Sequence, residues 1–417
     1  MKFIQLGMRL ARMVLENRTL RATAAFALSG AAFALGNLLL ARTMPMEEFG
    51  RAALEIALLN LFSVIAPLGL DQILLRRQDH ASAGLLVRVL LVNGVVALAV
   101  GFASNRFYDL PLFEAGLMAV AIAAGGAACV ASAGMRAQGR DGVPLVMVFG
   151  TNSLILFCGV DGFLAGSISV PQVLSVVAGG NVLLSGIAWI IFYRGGPSPR
   201  TTPEPIRWSE AISLLGLVAV GALAIQLERL IIPKTLDAEA LAIFAVLSSV
   251  ATFPFRLVTS GAGFSLAPQL RFAETFQERK LVVVRELSTI GVLLSITTAV
   301  IALFAPLVTS LITGGRYELS EALVLAACLS GAVKVVQSLI RTVVIGCGSH
   351  RAIVTLNGIG WGAIVISILA GIACSRWGLT GLIIGMAVGS LISNLPALAI
   401  AVRSMRSTRQ GPDADGI

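Results

Sequence analysis

Ionised side chains are scarce in this chain of 417 residues: 13% are Asp, Glu, Lys or Arg, while 57% are apolar. That is about half the charge of a typical soluble domain. Charges inside long apolar stretches are therefore the first candidates for chemistry. Lys334 lies near the middle of one such stretch, with Gln337, Ser338 and Arg341 following at spacings of three, four and seven. Those spacings put all four on one helical face. A charge deep in a bilayer costs about 2.5–3.5 kcal/mol on insertion scales, so it turns to a wet cavity or to a partner. The face reads as a cationic stripe that attracts an anionic head group. The other reading pairs Lys334 with an acidic residue of a neighbouring helix, although no mid-membrane carboxylate is an obvious partner.

Other polar positions are read the same way. Glu228 and Arg229 lie about one turn inside the end of another apolar stretch, placed for ion pairs with neighbouring helices or for snorkelling. Arg88 and Arg256 stand near the ends of two more. A guanidinium fork suits pyrophosphate oxygens, and an interfacial anchor is the plainer role. Glu55 and Asn60 share a face. Asn93, Asn152, Asn181, Asn357 and Asn394 are single amides of the kind that hydrogen-bond between membrane helices. Asp71 stands before Arg76 and Arg77 as a local ion pair. Five Cys (Cys129, Cys158, Cys328, Cys347 and Cys374) lack paired spacing and read as buried free thiols. His80 and His350 are far apart. No catalytic residue, metal site or cofactor is expected. The 43 Gly form no phosphate loop. Instead, GLIIGMAVG at Gly381–Gly389 repeats small residues every fourth position, a pattern for close helix contact. Pro67, Pro171, Pro254 and Pro306 lie in or at the ends of apolar runs, where they can kink them.

These positions need elements to hold them. The mean hydropathy is +0.90, which excludes a globular soluble enzyme and a disordered chain. A spanning helix needs about 20 apolar residues. Twelve such runs are present, near 22–41, 52–75, 84–104, 111–134, 143–164, 170–193, 210–232, 238–260, 282–305, 319–345, 352–374 and 378–402. They are continuous, whereas barrel strands would alternate over about 10 residues. The chain is expected to be an all-α polytopic membrane protein.

Charge placement gives the sidedness. With the N-terminus in the cytoplasm, twenty-three basic residues fall on the inner side. Six fall outside: Arg42, Arg51, Arg106, Lys234, Arg316 and Arg376. The positive-inside rule predicts this asymmetry. The net charge of +9 is thus mostly an orientation signal and needs no nucleic-acid ligand. Both termini are expected in the cytoplasm. Residues 1–21 read as an amphipathic helix on membrane lipid or, equally, a frayed tail. The Pro-rich segment 194–209 reads as a cytoplasmic linker, 261–281 as an amphipathic extension, and 403–417 as a cytoplasmic tail. No connection is long enough for a catalytic domain.

The halves repeat. RTMPMEEFG at Arg42–Gly50 lies over KTLDAEALA at Lys234–Ala242, an offset of 192, and VRVLLVNGV at Val87–Val95 over VRELSTIGV at Val284–Val292, an offset of 197. Two six-helix lobes, 22–193 and 210–402, are expected as parallel repeats about an axis along the membrane normal, with a pathway between them.

Several segments resemble the polysaccharide and O-antigen flippases. These are ARTMPMEEFGRAALEIALLNLFSVIAPLGLDQILLRR in the first hairpin, QLERLIIPKTLDAEALAIFAV with its polar Gln226, Glu228 and Arg229, FSLAPQLRF, and IGCGSHRAIVTLNG. The patterns are dispersed over nearly the whole chain. In the second, Glu replaces the Asp usual in that family. The resemblance places the chain in the multidrug/oligosaccharidyl-lipid/polysaccharide exporter superfamily with a MATE-like fold. It implies a bacterial inner-membrane protein that flips polyprenyl-pyrophosphate-linked glycans by alternating access, with a polysaccharide polymerase and export machinery as partners. Coupling to a proton or sodium gradient stays open. Lys334, Gln337, Arg341, Arg256, Arg88, Glu228 and Arg229 are the expected substrate-binding residues. A multidrug exporter of the same fold is the alternative. It is expected to carry carboxylates in the lobe interior, whereas a Lys as the deepest charge favours an anionic cargo. A glycan polymerase or ligase would bring a large outer loop, and a non-transporting partner a neutral interior.

Overall fold

The computed structural model describes residues 18–77, 81–195, 208–255 and 275–406, with single positions between 258 and 273. The N-terminal amphipathic stretch, most of the 194–209 linker, about half of the 261–281 extension and the tail beyond 406 lie outside the described residues. Among the described residues every regular element is helical. Ten stretches are long and apolar enough to cross a membrane. The last, Arg351–Arg406, holds two helices divided by a 3-10 turn at Ser375–Trp377. These are the dimensions of a multi-pass membrane protein.

Packing divides the chain into two compact units. One comprises Met1–Ser249 with Thr309–Tyr317, the other Val250–Val308 with Glu318–Ile417.

In the first unit, α1 (Arg18–Thr43) packs on α6 (Gly142–Ala165). Gly36 and Gly159 make the approach possible, since a Cβ at Gly36 would lie 2.6 Å from Leu156 N and one at Gly159 would lie 2.7 Å from Gly36 O. The second apolar run is not one helix. It breaks into α2 (Met46–Ile65) and α3 (Leu70–Arg77). Pro67 has no N–H to continue the ladder, and Leu68 and Gly69 follow with φ of 49° and 83°. Buried Asn93, on α4 (Ala83–Tyr108), repairs this break. With its amide turned to satisfy both ends, Nδ2 donates to Ala66 O at 2.9 Å, and Oδ1 accepts from Ala127 N of α5 (Leu112–Ala137) at 2.8 Å. A side-chain amide thus serves a carbonyl that the interrupted helix leaves open, as non-helical backbone in a bilayer requires. On α7 (Val170–Tyr193), Trp189 Nε1 donates to Ala127 O at 3.0 Å, and the Phe192 ring fills the space beside Gly134. Pro171 sits in the first turn of α7 and does not kink it; Ser169 and Gln172 cap that end.

Helices α8 (Trp208–Thr235) and α9 (Ala238–Leu247) pack against α2. A π-helical turn, Ser248–Thr252, ends α9. Tyr317 is buried edge-on against Phe49, with ring centroids 6.3 Å apart. Burial pushes its phenol up to about 12, so it stays a neutral anchor.

In the second unit, α10 (Phe276–Thr313) contributes its residues up to Val308, and Pro306 lies inside it. Then come α11 (Glu321–Cys347), α12 (His350–Cys374) and α13 (Gly378–Arg406). Helices α12 and α13 meet along the Gly381–Gly385–Gly389 row. A Cβ at Gly385 would lie 2.5 Å from Ala370 O, and one at Gly389 would lie 2.7 Å from the Ser367 Cα. The four-residue glycine repeat is therefore a backbone-to-backbone seam. Ser367 and Ser390 share a 2.9 Å hydrogen bond across it.

Candidate functional site

Helix α11 begins on a Ser320 cap, whose hydroxyl accepts from Leu323 N at 3.3 Å. Its apolar face, including Val324, Ala327, Val335, Leu339 and Val344, is buried. That orientation leaves Gln337 and Arg341 on the rim of a cleft. Gln337, Ile340 and Arg341 of α11 line it with Gly360 of α12 and Ser393, Asn394 and Ala397 of α13. Its cavity volume is about 10 Å³, roughly the room of one water molecule.

Two groups in the cleft are poised for an acceptor. Arg341 is half-buried, and no described residue hydrogen-bonds or pairs with it. Asn394 is buried at 5% exposure, and its Nδ2 finds no acceptor among the described residues. A buried donor without a partner costs about 1–3 kcal/mol. Ser393 is already engaged, donating to Gly389 O at 2.8 Å. A guanidinium and an amide N–H are donors, and the chemistry they match is an anion with several oxygens.

The remaining expected residues are placed differently. Lys334 is half-buried on α11 and is not part of the cleft lining. Arg256 lies outside the described residues. Arg88 is exposed near the start of α4, among exposed Val87, Leu90 and Leu91; that is the setting of an interfacial anchor. Glu228 and Arg229 are buried at 3% and 4% exposure, so snorkelling is not their role. Arg229 Nη2 donates to Ser248 Oγ at 2.8 Å, and its guanidinium lies 5.9 Å from the centroid of the Phe33 ring. Ser248 and Ser249 in turn donate to Ala245 O at 3.1 and 2.8 Å. Arg229 thus ties α8 to the start of the π-helical turn. Gln337 and Arg341 are the expected residues that the cleft brings together; Arg88, Glu228 and Arg229 belong to the first unit.

One constellation escaped the sequence reading. Glu55 of α2, wholly buried, faces Glu114 in the first turn of α5. Arg51 Nη2 lies 3.3 Å from Glu114 Oε1. Arg51 reads as an outer topology charge and Glu114 as the start of a helix after Pro111. The usable signal was the four-residue spacing of Arg51 and Glu55, which puts both on one face of α2.

No protein-family model matches the sequence, and no curated protein does. Solved structures do. The chain is similar to a multidrug resistance MATE family transporter of the MOP superfamily in its inward-facing conformation. That likeness has 13% identity over 90% of this chain and 94% of that one, with a TM-score of 0.69. The chain is also similar to the lipid II flippase MurJ in an inward closed conformation, at 12% identity over 93% of this chain and 87% of that one, TM-score 0.65. A variant of the Vibrio cholerae MATE transporter VcmN matches at 16% identity over 93% and 96% of the two chains, TM-score 0.57. At such identities the likeness establishes architecture: the chain has the helical fold of MATE transporters.

Proposed function

We propose that this chain is a flippase for lipid-linked oligosaccharides, moving polyprenyl-pyrophosphate glycans across a bacterial inner membrane for cell-surface polysaccharide assembly. The cleft of Gln337, Arg341 and Asn394 carries the reading. It offers a cation and a spare amide donor inside a bundle of membrane-spanning length; at about 10 Å³ it must open to admit a phosphate group. The fold shared with the lipid II flippase MurJ supports a lipid-linked cargo. In this reading the two six-helix lobes, joined at 194–209, alternate their access. The head group passes through while the lipid tail stays in the membrane, and a polymerase acts on the delivered glycan.

The test uses the purified chain in proteoliposomes with a fluorescent glycan on polyprenyl pyrophosphate. A charge-assisted hydrogen bond contributes about 1.5–3 kcal/mol, so Arg341→Gln should lower flipping at least tenfold at unchanged protein level. Wild-type flipping by Arg341→Gln removes the assigned role. The fold is equally that of multidrug MATE transporters, and the buried carboxyl groups of Glu55, Glu114 and Glu228 are those expected of such an exporter; both support a second reading as a small-molecule exporter. Under it, expression of the chain raises drug resistance, and Arg341→Gln leaves that resistance intact.

A further inference from the structure

The first unit holds a pair of carboxyl groups that its own hydrogen bonds leave incomplete. Glu55 has no exposed surface, and neither of its oxygens has a partner among the described residues. It faces Glu114 within hydrogen-bonding range, and Glu114 is 3% exposed. Arg51 engages one Glu114 oxygen, and the other has no partner. An ionised carboxylate only accepts hydrogen bonds. Two of them brought together in a buried site repel unless something positive lies between. Three oxygens of the pair lack a partner among the described residues, and so does the Nε donor of Arg51; that one N–H does not neutralise a second buried carboxylate.

We propose that Glu55 and Glu114 share a single bound proton, making this pair a proton-binding site of the first unit. The proton sits on Glu55, whose O–H donates to the free Glu114 oxygen; Glu114 remains the anion that Arg51 neutralises. The site as a whole is then uncharged apart from the Arg51–Glu114 pair. Other charged groups on the elements packed against α2 are Arg42 on α1, Arg136 on α5, Glu228, Arg229 and Lys234 on α8, and Glu239 on α9. Of all these groups, Glu114 and Arg51 are the ones that act electrostatically on Glu55.

A metal cation fits less well. Arg51 already places a positive charge against Glu114. Sodium and other hard cations want a shell of several oxygens, including carbonyls or waters. No group of three or more His, Cys, Asp or Glu able to hold a metal ion occurs among the described residues. A proton needs only the two facing oxygens. Releasing it strands a buried anion, so release must accompany separation of α2 from α5 or entry of water between them. That link between proton occupancy and helix arrangement is the chemistry of proton coupling, and it holds whatever the cargo is.

The full chain in nanodiscs, without cargo, provides the test. Infrared difference spectra should show the C=O stretch of one buried carboxylic acid at neutral pH, lost on titration to alkaline pH. Glu55→Gln, which keeps the shape and supplies an amide donor to Glu114, should fold and lack that band. Exchanging choline for sodium should leave the band in place. Thermal unfolding gives a second readout. A proton held in the folded state and released on unfolding makes wild-type stability fall as pH rises above the ordinary carboxyl range, until the folded site itself lets the proton go. Glu55→Gln should lack that loss. Absence of the acid band from wild type, its persistence in Glu55→Gln, or its removal by sodium would each overturn the shared proton, the last in favour of a metal ion.

Discussion

Two asparagines, both buried in helical bundles, do opposite things. Asn93 in the first unit spends its amide at both ends, on Ala66 O and Ala127 N. Asn394 in the second keeps its Nδ2 unspent beside Arg341. The contrast separates an amide that substitutes for missing backbone from one held ready for a ligand. Burial and residue type do not distinguish them; the partner atoms do. The same division runs through the charges. Arg51 and Glu114 answer each other, whereas no described residue answers Arg341.

Variants can break this contrast. The largest effect is expected at the seam that holds Asn394 in place. Gly385→Leu forces a branched side chain against the Ala370 carbonyl. It should cost about 3 kcal/mol or more by overpacking, read as a large fall in thermal stability together with loss of anion binding. Next comes Asn93→Leu, which strips the Ala66 carbonyl of its donor. Buried interhelical bonds of this kind contribute about 1–2 kcal/mol in membranes, so the melting temperature should drop, and Asn93→Gln should recover less than all of it. Smallest in stability is Asn394→Leu. It removes a donor that was unsatisfied, so stability should hold or rise, while pyrophosphate binding weakens about three- to tenfold. Equal destabilisation by the Asn93 and Asn394 variants would erase the distinction between them.

Much of the architecture was legible because long apolar runs leave few alternatives. Each of the twelve stretches carries helix, and the Gly381–Gly389 repeat announced its seam. Local exceptions were harder. Pro67 was visible, but a lone proline is tolerated in membrane helices. The break at 66–69 depends on Leu68 and Gly69 taking left-handed conformations and on Asn93 arriving from another helix to serve Ala66. The π-helical turn after Leu247 leaves no mark in composition. In the site, the three- and four-residue spacing located Gln337 and Arg341. Asn394 comes from a helix more than fifty residues later, and only packing shows that its amide is spare. Glu114 was hidden by its position: an acid in a first turn is ordinary, and its burial against Glu55 is a tertiary fact.

The glycine seam also acts as a rotational index. At about 100° per residue, Gly381, Gly385 and Gly389 drift slowly around α13, and Asn394 falls about 180° from their centre. Backbone contact with α12 leaves α13 no side chain about which to roll, so its azimuth is set by the shape of the main chain. A cleft residue half a turn away then inherits that angular definition without a side-chain hydrogen bond to any described residue, and the aim of Asn394 is decided by residues that have no side chains at all.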